Sequence, residues 1–187
     1  LLRCLEAAVP QADMVIVIDN SDDPALYWTA PASPMAQRVR ILRAPMRPPN
    51  LSKLWNIGLV QASYWAQATE HDTWDVAVLN DDAIIPPGWF DAVAGRMRSV
   101  GAAAGSTGLG SGLNAILHQQ PGTTNLAYRM QGHAFVLRGE AGLRADERLS
   151  WWCGDNDLDM QARLKGGTLI MGGWPVEHLH PDESTRG

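Results

Sequence analysis

A chain of 187 residues with 20 acidic against 15 basic side chains carries a formal charge of −5, which argues against a general binder of polyanions. Its length fits a single domain, residues 1–187, that buries roughly 70% of the surface its unfolded chain would expose, so a pocket needs neither disulfides nor structural metals. Cys4 and Cys153 lack metal-ligand spacing, no apolar run approaches the ~20 residues of a membrane span, and no signal-peptide pattern is visible, so free, largely buried thiols in a reducing, cytoplasmic setting are expected.

Leu1, Leu2, Leu5 and Ala8 share one face of a short helix that ends near Val9-Pro10. Met14 to Ile18 is a continuous apolar run, the pattern of a strand buried on both faces, and it breaks at the polar turn Asp19-Asn20-Ser21. Val39 to Leu42 is a second short strand. Arg38, Arg40, Arg43 and Arg47 fall close together and would make one edge basic, whereas Lys53 and Lys165 are the only lysines. Leu51 to Gln67 reads as a helix with Asn50 or Ser52 at its start and Leu51, Leu54, Trp55, Leu59 and Ala62 on one side.

Val76 to Leu79 is an apolar strand that delivers Asn80, Asp81 and Asp82 straight into a loop, closed by Pro86-Pro87-Gly88 before a helix from Trp89 to Met97. Gly101 to Gly112 reads as a loop or weak strand, and its glycines miss the dinucleotide fingerprint because Leu113 stands where a glycine is needed. His133 to Arg138 is a strand and Asp155 to Lys165 a helix stopped by Gly166-Gly167; Thr168 to Met171 and Pro175 to Val176 finish the sheet. Strands alternating with helices imply an α/β fold with a largely parallel sheet covered on both faces. In such sheets ligands bind at the carboxyl ends of the strands, where Asp19, the Asn80–Asp82 turn and the Asp155 loop fall.

Adjacent carboxylates repel, so a fold that gathers them supplies a cation or hydrogen bonds. Two acidic clusters, Asn80-Asp81-Asp82 and Asp155-Asn156-Asp157-Leu158-Asp159, are joined by two late histidines, His178 and His180. Turn and cap chemistry is the competing explanation: Asn and Asp make turns, and Asp155 suits a helix N-cap. The 155–166 segment argues against a calcium loop, because Met160 stands where that loop needs Gly and Gly166 where it needs Glu.

Taken together, the motifs resemble family 2 glycosyltransferases of the GT-A fold. Val15 to Ser21 resembles the nucleotide-binding strand and its turn, and Asn50 with Asn56-Ile57-Gly58 the segment beside the nucleotide. Leu79-Asn80-Asp81-Asp82 followed by Pro87-Gly88-Trp89 resembles the D-x-D site and its exit, and Gly132 to Arg138 the acceptor-side strand. Trp152-Cys153-Gly154-Asp155-Asn156-Asp157-Leu158, ahead of Arg163 and Gly166, resembles "f-x-E-D-x-D-L…R…G", and His180 to Ser184 the terminal "H-x-x-g-S". The chain departs from that pattern in three places. The family's first strand has no counterpart after Leu1, Asn80 stands for the first Asp of D-x-D, and Gly154 stands for a Glu. No Q-x-x-R-W motif of the processive synthases is present.

The resemblance implies a three-layer α/β/α sandwich with a mostly parallel central sheet, and a metal-dependent, inverting glycosyltransferase. Its donor would be a UDP-, GDP- or dTDP-sugar and its acceptor a saccharide or other hydroxyl compound. Asp82 and His180 would bind Mn2+ or Mg2+, with His178 as the alternative to His180. Asp19, Asn20, Ser21, Asn50, Asn56, Asn80 and Asp81 would contact the nucleotide sugar. Asp155 matches the general base, with Asp157 orienting the helix or acceptor or exchanging roles with it, and Trp151 and Trp152 would face the acceptor. The alternatives are a non-catalytic nucleotide-sugar-binding protein and a sugar-nucleotide nucleotidyltransferase, whose glycine-rich basic loop is not found in this chain. A nucleic acid acceptor tracked by the Arg38–Arg47 edge is the remaining alternative.

Overall fold

The computed structural model describes residues 1–22, 37–108, 115–120 and 128–179. Helix α1 (Leu2–Ala8) buries Cys4, Leu5 and Ala8 and runs into a short 3-10 turn at Val9–Gln11. Strand β1 (Val15–Asp19) pairs in parallel with β2 (Val39–Arg43), Val15 beside Val39 and Asp19 beside Arg43. Helix α2 (Leu51–Ala68) starts where the Asn50 side chain accepts a hydrogen bond from the Lys53 N–H at 2.9 Å, one of the donors a helix start leaves unpaired. Strand β3 (Asp75–Leu79) is followed by a two-residue strand β4 (Ala83–Ile84) and by α3 (Trp89–Ser99), entered through Gly88 at φ 79°. Then come β5 (Ala104–Thr107), β6 (Ala115–His118), β7 (Ala134–Arg138), α4 (Gly154–Leu164), β8 (Thr168–Met171) and the two-residue β9 (Glu177–His178).

The central sheet has the order β3-β7-β5-β8-β6 and is mixed rather than mostly parallel. Only β5 and β8 run parallel; β3 with β7, β5 with β7 and β6 with β8 are antiparallel. The reason is connectivity. A parallel neighbour requires a crossover, usually a helix, and α4 provides one before β8; no described helix separates β5, β6 and β7. Of Gly101 to Gly112, expected as a loop or weak strand, the described part holds the strand alternative, β5, with all four residues buried. Pro175 and Val176 do not extend the sheet; β9, just beyond them, pairs with β4 in a small ribbon of its own. Nor is β1 buried on both faces. All five of its residues are half-buried, because β2 is its one ladder partner among the described residues.

Side-chain alternation along β7 divides the core into two layers. Phe135 and Leu137 face a cluster with Trp55 and Leu59 of α2 and Leu158 and Ala162 of α4. Ala134 and Val136 face the opposite cluster with Trp89, Val93 and Met97 of α3 and Ala8 of α1. Helices therefore cover both faces, and the three-layer arrangement holds. Phe135 meets Trp55 edge to face at 5.3 Å, worth about 0.5–1.5 kcal/mol beyond the area it buries. Trp89 is fully buried and satisfies its indole N–H on the Thr107 hydroxyl at 3.1 Å.

At the far edge of the sheet Arg98 ties three segments together. It donates to Asp75 at 2.7 Å, to Glu140 at 2.8 and 3.1 Å and to the Trp74 carbonyl at 2.9 Å. Beside it Gly139 donates its N–H to the same carbonyl, and a Cβ on Gly139 would fall within the Trp74 indole. Gly139→Ala is therefore expected to destabilise the fold by about 1–3 kcal/mol through overpacking, read as a lowered urea midpoint; an unchanged midpoint would contradict this packing.

Candidate functional site

The end of β3 sets the first half of the site. Leu79 pairs with Ala134, so the next residue on β3, Asn80, lies beside the one that precedes β7, His133. The Asn80 N–H donates to the His133 carbonyl at 2.9 Å, and the Ala83 N–H returns to the Asn80 carbonyl at 3.1 Å, which closes the Asp81–Asp82 turn. Asp81 is exposed and Asp82 half-buried. Beneath them the Cys4 thiol donates to the Asn80 carbonyl at 3.5 Å, and burial pushes its pKa up to about 11, so it stays protonated and inert. Cys153, expected to be largely buried, is exposed instead, because it sits on the bend ahead of α4 at φ 68°.

The β4–β9 ribbon carries a histidine to this turn. Ala83 pairs with His178, and the Leu179 N–H donates to the Asp82 carbonyl at 3.1 Å. The His178 Nε2 consequently lies 3.2 Å from the Asp82 Oδ1. The His178 ring is stacked on that of His133, with centroids 4.6 Å apart and planes 10° from parallel. Burial holds the His133 pKa below its ordinary value, the His178 charge acts in the same direction and Asp82 opposes it. His180 lies outside the described residues, so the histidine found against Asp82 is His178. Asp82 and His178 together offer a carboxylate and an imidazole, a donor pair that suits Mn2+ better than Mg2+. Among the described residues no group of three or more His, Cys, Asp or Glu is placed to hold an ion, so the other coordination positions would fall to ligand oxygens and water.

The second half of the site is built on α4. Asp155 opens the helix, half-buried, with its Oδ1 accepting from the Asn156 N–H at 2.9 Å. Its other oxygen leans over Gly132, where a Cβ would come within 2.9 Å of it. Gly132 is the residue before His133, and neighbouring Cα atoms are about 3.8 Å apart. The Gly132-His133 step thus touches the Asp155 carboxyl on one side and, through the imidazole stack, reaches Asp82 on the other. Both acidic clusters stand at the same edge of the sheet.

Asp157 is differently employed. Its Oδ2 accepts from the Asp146 N–H at 2.9 Å and from the Gln161 side chain at 2.8 Å, which anchors the loop leading into α4. The start of α2 grips the same loop. Asn50 donates to the Glu147 carbonyl at 2.8 Å, Ser52 to the Leu149 carbonyl at 2.6 Å, and Asn56 both donates to and accepts from the Ala145 backbone at 2.9 Å. Gly154 has a packing reason. A Cβ there would approach the Ser52 hydroxyl to 2.6 Å and the Trp55 ring to 3.1 Å, so no Glu fits in its place. Beyond the clamped loop Trp151 and Trp152 project from a bend, 41% and 55% exposed. Large aromatic side chains this exposed can stack on a flat apolar ring face.

At the end of β1, Asp19 accepts from the Ser21 side chain and backbone, the latter at 2.8 Å, and these bonds, with Arg43 3.9 Å away, hold its carboxyl below the usual range. Asn20 accepts from the Met46 N–H at 2.7 Å, while Arg47 donates to the Asn20 carbonyl at 3.2 Å. This turn leaves β1 as the Asp81–Asp82 turn leaves β3, each at the carboxyl end of its strand. Arg138 stands at the other end of the sheet, 3.8 Å from Glu140, and so belongs to the Arg98 network. His133 is the site residue that sequence reading did not single out. Its signal is the β3–β7 register, which places it opposite Asn80.

No protein-family profile matches the chain, and no curated protein matches it. Among solved structures 39 chains match. One is the crystal structure of GalNAc-T7 with UDP, GalNAc and Mn2+, which aligns with a TM-score of 0.61 at 13% sequence identity over 95% of this chain and 40% of the other. The present chain thus spans about 40% of the length of that neighbour. What the two share is the fold, a GT-A-like α/β fold.

Proposed function

We propose that the chain is a metal-dependent glycosyltransferase that moves a sugar from a nucleoside diphosphate to an acceptor hydroxyl with inversion at the anomeric carbon. The observation that carries this reading is the Gly132-His133 step, which brings the Asp155 carboxyl and the Asp82–His178 pair to one sheet edge. The GalNAc-T7 structure, which holds UDP, GalNAc and Mn2+ on a like fold, supports a nucleotide-sugar donor and a saccharide acceptor.

In this reading Asp82 and His178 hold Mn2+, with Mg2+ as the weaker alternative. A cation held there would supply positive charge to offset that developing on a departing diphosphate. Asp19, Asn20 and Ser21 line the nucleotide side together with Asn80 and Asp81. Asn50 and Asn56 serve the site by fixing the 145–150 loop. Asp155 takes the proton from the acceptor hydroxyl as it attacks the anomeric carbon. The assignment to Asp155 rather than Asp157 follows from occupancy: the Asp157 Oδ2 accepts two bonds that anchor the loop, whereas Asp155 accepts one, from the N–H next to it. Attack from the face opposite the leaving diphosphate, assisted by a carboxylate base, inverts the anomeric centre. Trp151 and Trp152 present their rings to the acceptor.

Asp155→Asn is expected to lower sugar transfer by about 10²–10⁴ while Mn2+ and UDP still bind as in the wild type. Transfer at the wild-type rate would refute the base assignment. Asp82→Ala and His178→Ala should each weaken Mn2+ binding, measured by calorimetry in the presence of UDP, by about tenfold or more, whereas His180→Ala should leave it within about threefold. A greater loss in His180→Ala than in His178→Ala would transfer the ligand role to His180.

A further inference from the structure

We propose that His133 is a positioning residue whose ring holds the His178 imidazole in the orientation that faces Asp82; this rests on the reading of Asp82 and His178 as the cation site. His178 comes from a weak element. Its strand β9 has two residues, and its partner β4 also has two. A ribbon this short fixes a backbone path but leaves an imidazole free to turn about its last torsion. His133 is anchored far more firmly. It directly precedes β7, a strand paired on both sides, and its carbonyl accepts the Asn80 N–H at 2.9 Å.

The stack transfers that rigidity. With centroids 4.6 Å apart and planes 10° from parallel, the His133 ring is a flat wall that keeps the His178 ring in one plane. In that plane the Nε2 stands 3.2 Å from the Asp82 Oδ1. The same geometry argues against His133 as a ligand itself. An imidazole lone pair lies in the plane of its ring, so two rings stacked face to face aim their lone pairs along separate parallel planes rather than at one shared ion. In keeping with this, no group of three donors for an ion is found among the described residues. His133 therefore acts through His178, as partners that orient ligating histidines do in metal sites, where their loss typically lowers metal affinity by about 10–100-fold.

The test compares His133→Phe, which keeps a flat ring but no ring nitrogen, with His133→Ala and His133→Gln, which lose the ring. Mn2+ binding to the 187-residue chain is followed by the electron paramagnetic resonance signal of free Mn2+, with and without UDP, and folding by the thermal midpoint. Positioning predicts that His133→Ala and His133→Gln weaken Mn2+ binding by about 10–100-fold while His133→Phe stays within about threefold of wild type. Wild-type affinity in a folded His133→Ala or His133→Gln protein overturns the proposal. Equal weakening in a folded His133→Phe protein also overturns it, by making the nitrogen rather than the ring face the active feature. Wild-type protein that binds no Mn2+ through Asp82 and His178 would overturn the cation site itself and the positioning role with it.

Discussion

Because β3 runs antiparallel to β7, the residue that follows one strand lies beside the residue that precedes the other, and both leave the sheet at a single edge. That edge is where Asn80 donates to the His133 carbonyl and where the Asp81–Asp82 turn begins. Had β7 run parallel to β3, its first residues would stand at the opposite end of the sheet, about 17 Å away for a five-residue strand. Gly132 and His133 then could not link the two acidic clusters. The direction of one strand decides whether the two acidic clusters meet.

The residues around Asp155 divide the work between support and exposure. Asn50, Ser52 and Asn56 at the start of α2, together with Asp157 and Gln161 on α4, spend their hydrogen bonds on the backbone of residues 144–149 and on one another. Groups so engaged have little left for a ligand, and their value lies in fixing the loop between the two helices. Gly154 allows α4 to approach α2 until a side chain at that position would collide with Ser52 and Trp55. Helix packing this close aims Asp155 over Gly132, which in turn must be small. Two glycines and a set of half-buried amides therefore shape the acidic face more than the carboxylates do.

The helices were legible in the sequence because their signals are local. An Asn50 cap, a Pro-Pro-Gly entry and 3.6-residue periodicity place α2, α3 and α4 within about two residues. The runs ahead of Asp82 and Asp155 carry local signals as well, an apolar strand before the Asp81–Asp82 turn and an aromatic pair before the helix that holds Asp155. Strand direction was not, because it depends on whether a helix intervenes between two strands and on which strand each one meets. The ribbon β4–β9 left no trace, being two residues long on each side. His133 was hidden for a related reason: a histidine at the start of an apolar strand is chemically unremarkable until register sets it beside Asn80 and stacks it on His178. The approach of His178 to Asp82 likewise rests on a pairing, Ala83 with His178, that no local pattern encodes.

The two sides of the site rest on elements of unequal strength. Asp155 sits on an eleven-residue helix whose inner face buries Leu158 and Ala162 and whose approach loop is held by side chains from α2 and α4. Asp82 and His178 rest on a turn and a two-residue ribbon, and segments with few buried contacts open at the lowest free energies. In the proposed reaction, a carboxylate that meets an incoming hydroxyl at a set distance gains from the rigid side. A cation grip, by contrast, can tolerate a softer backbone provided the ligand rings and oxygens are oriented by something firmer, and β7, through the His133 ring, is the firm element within reach.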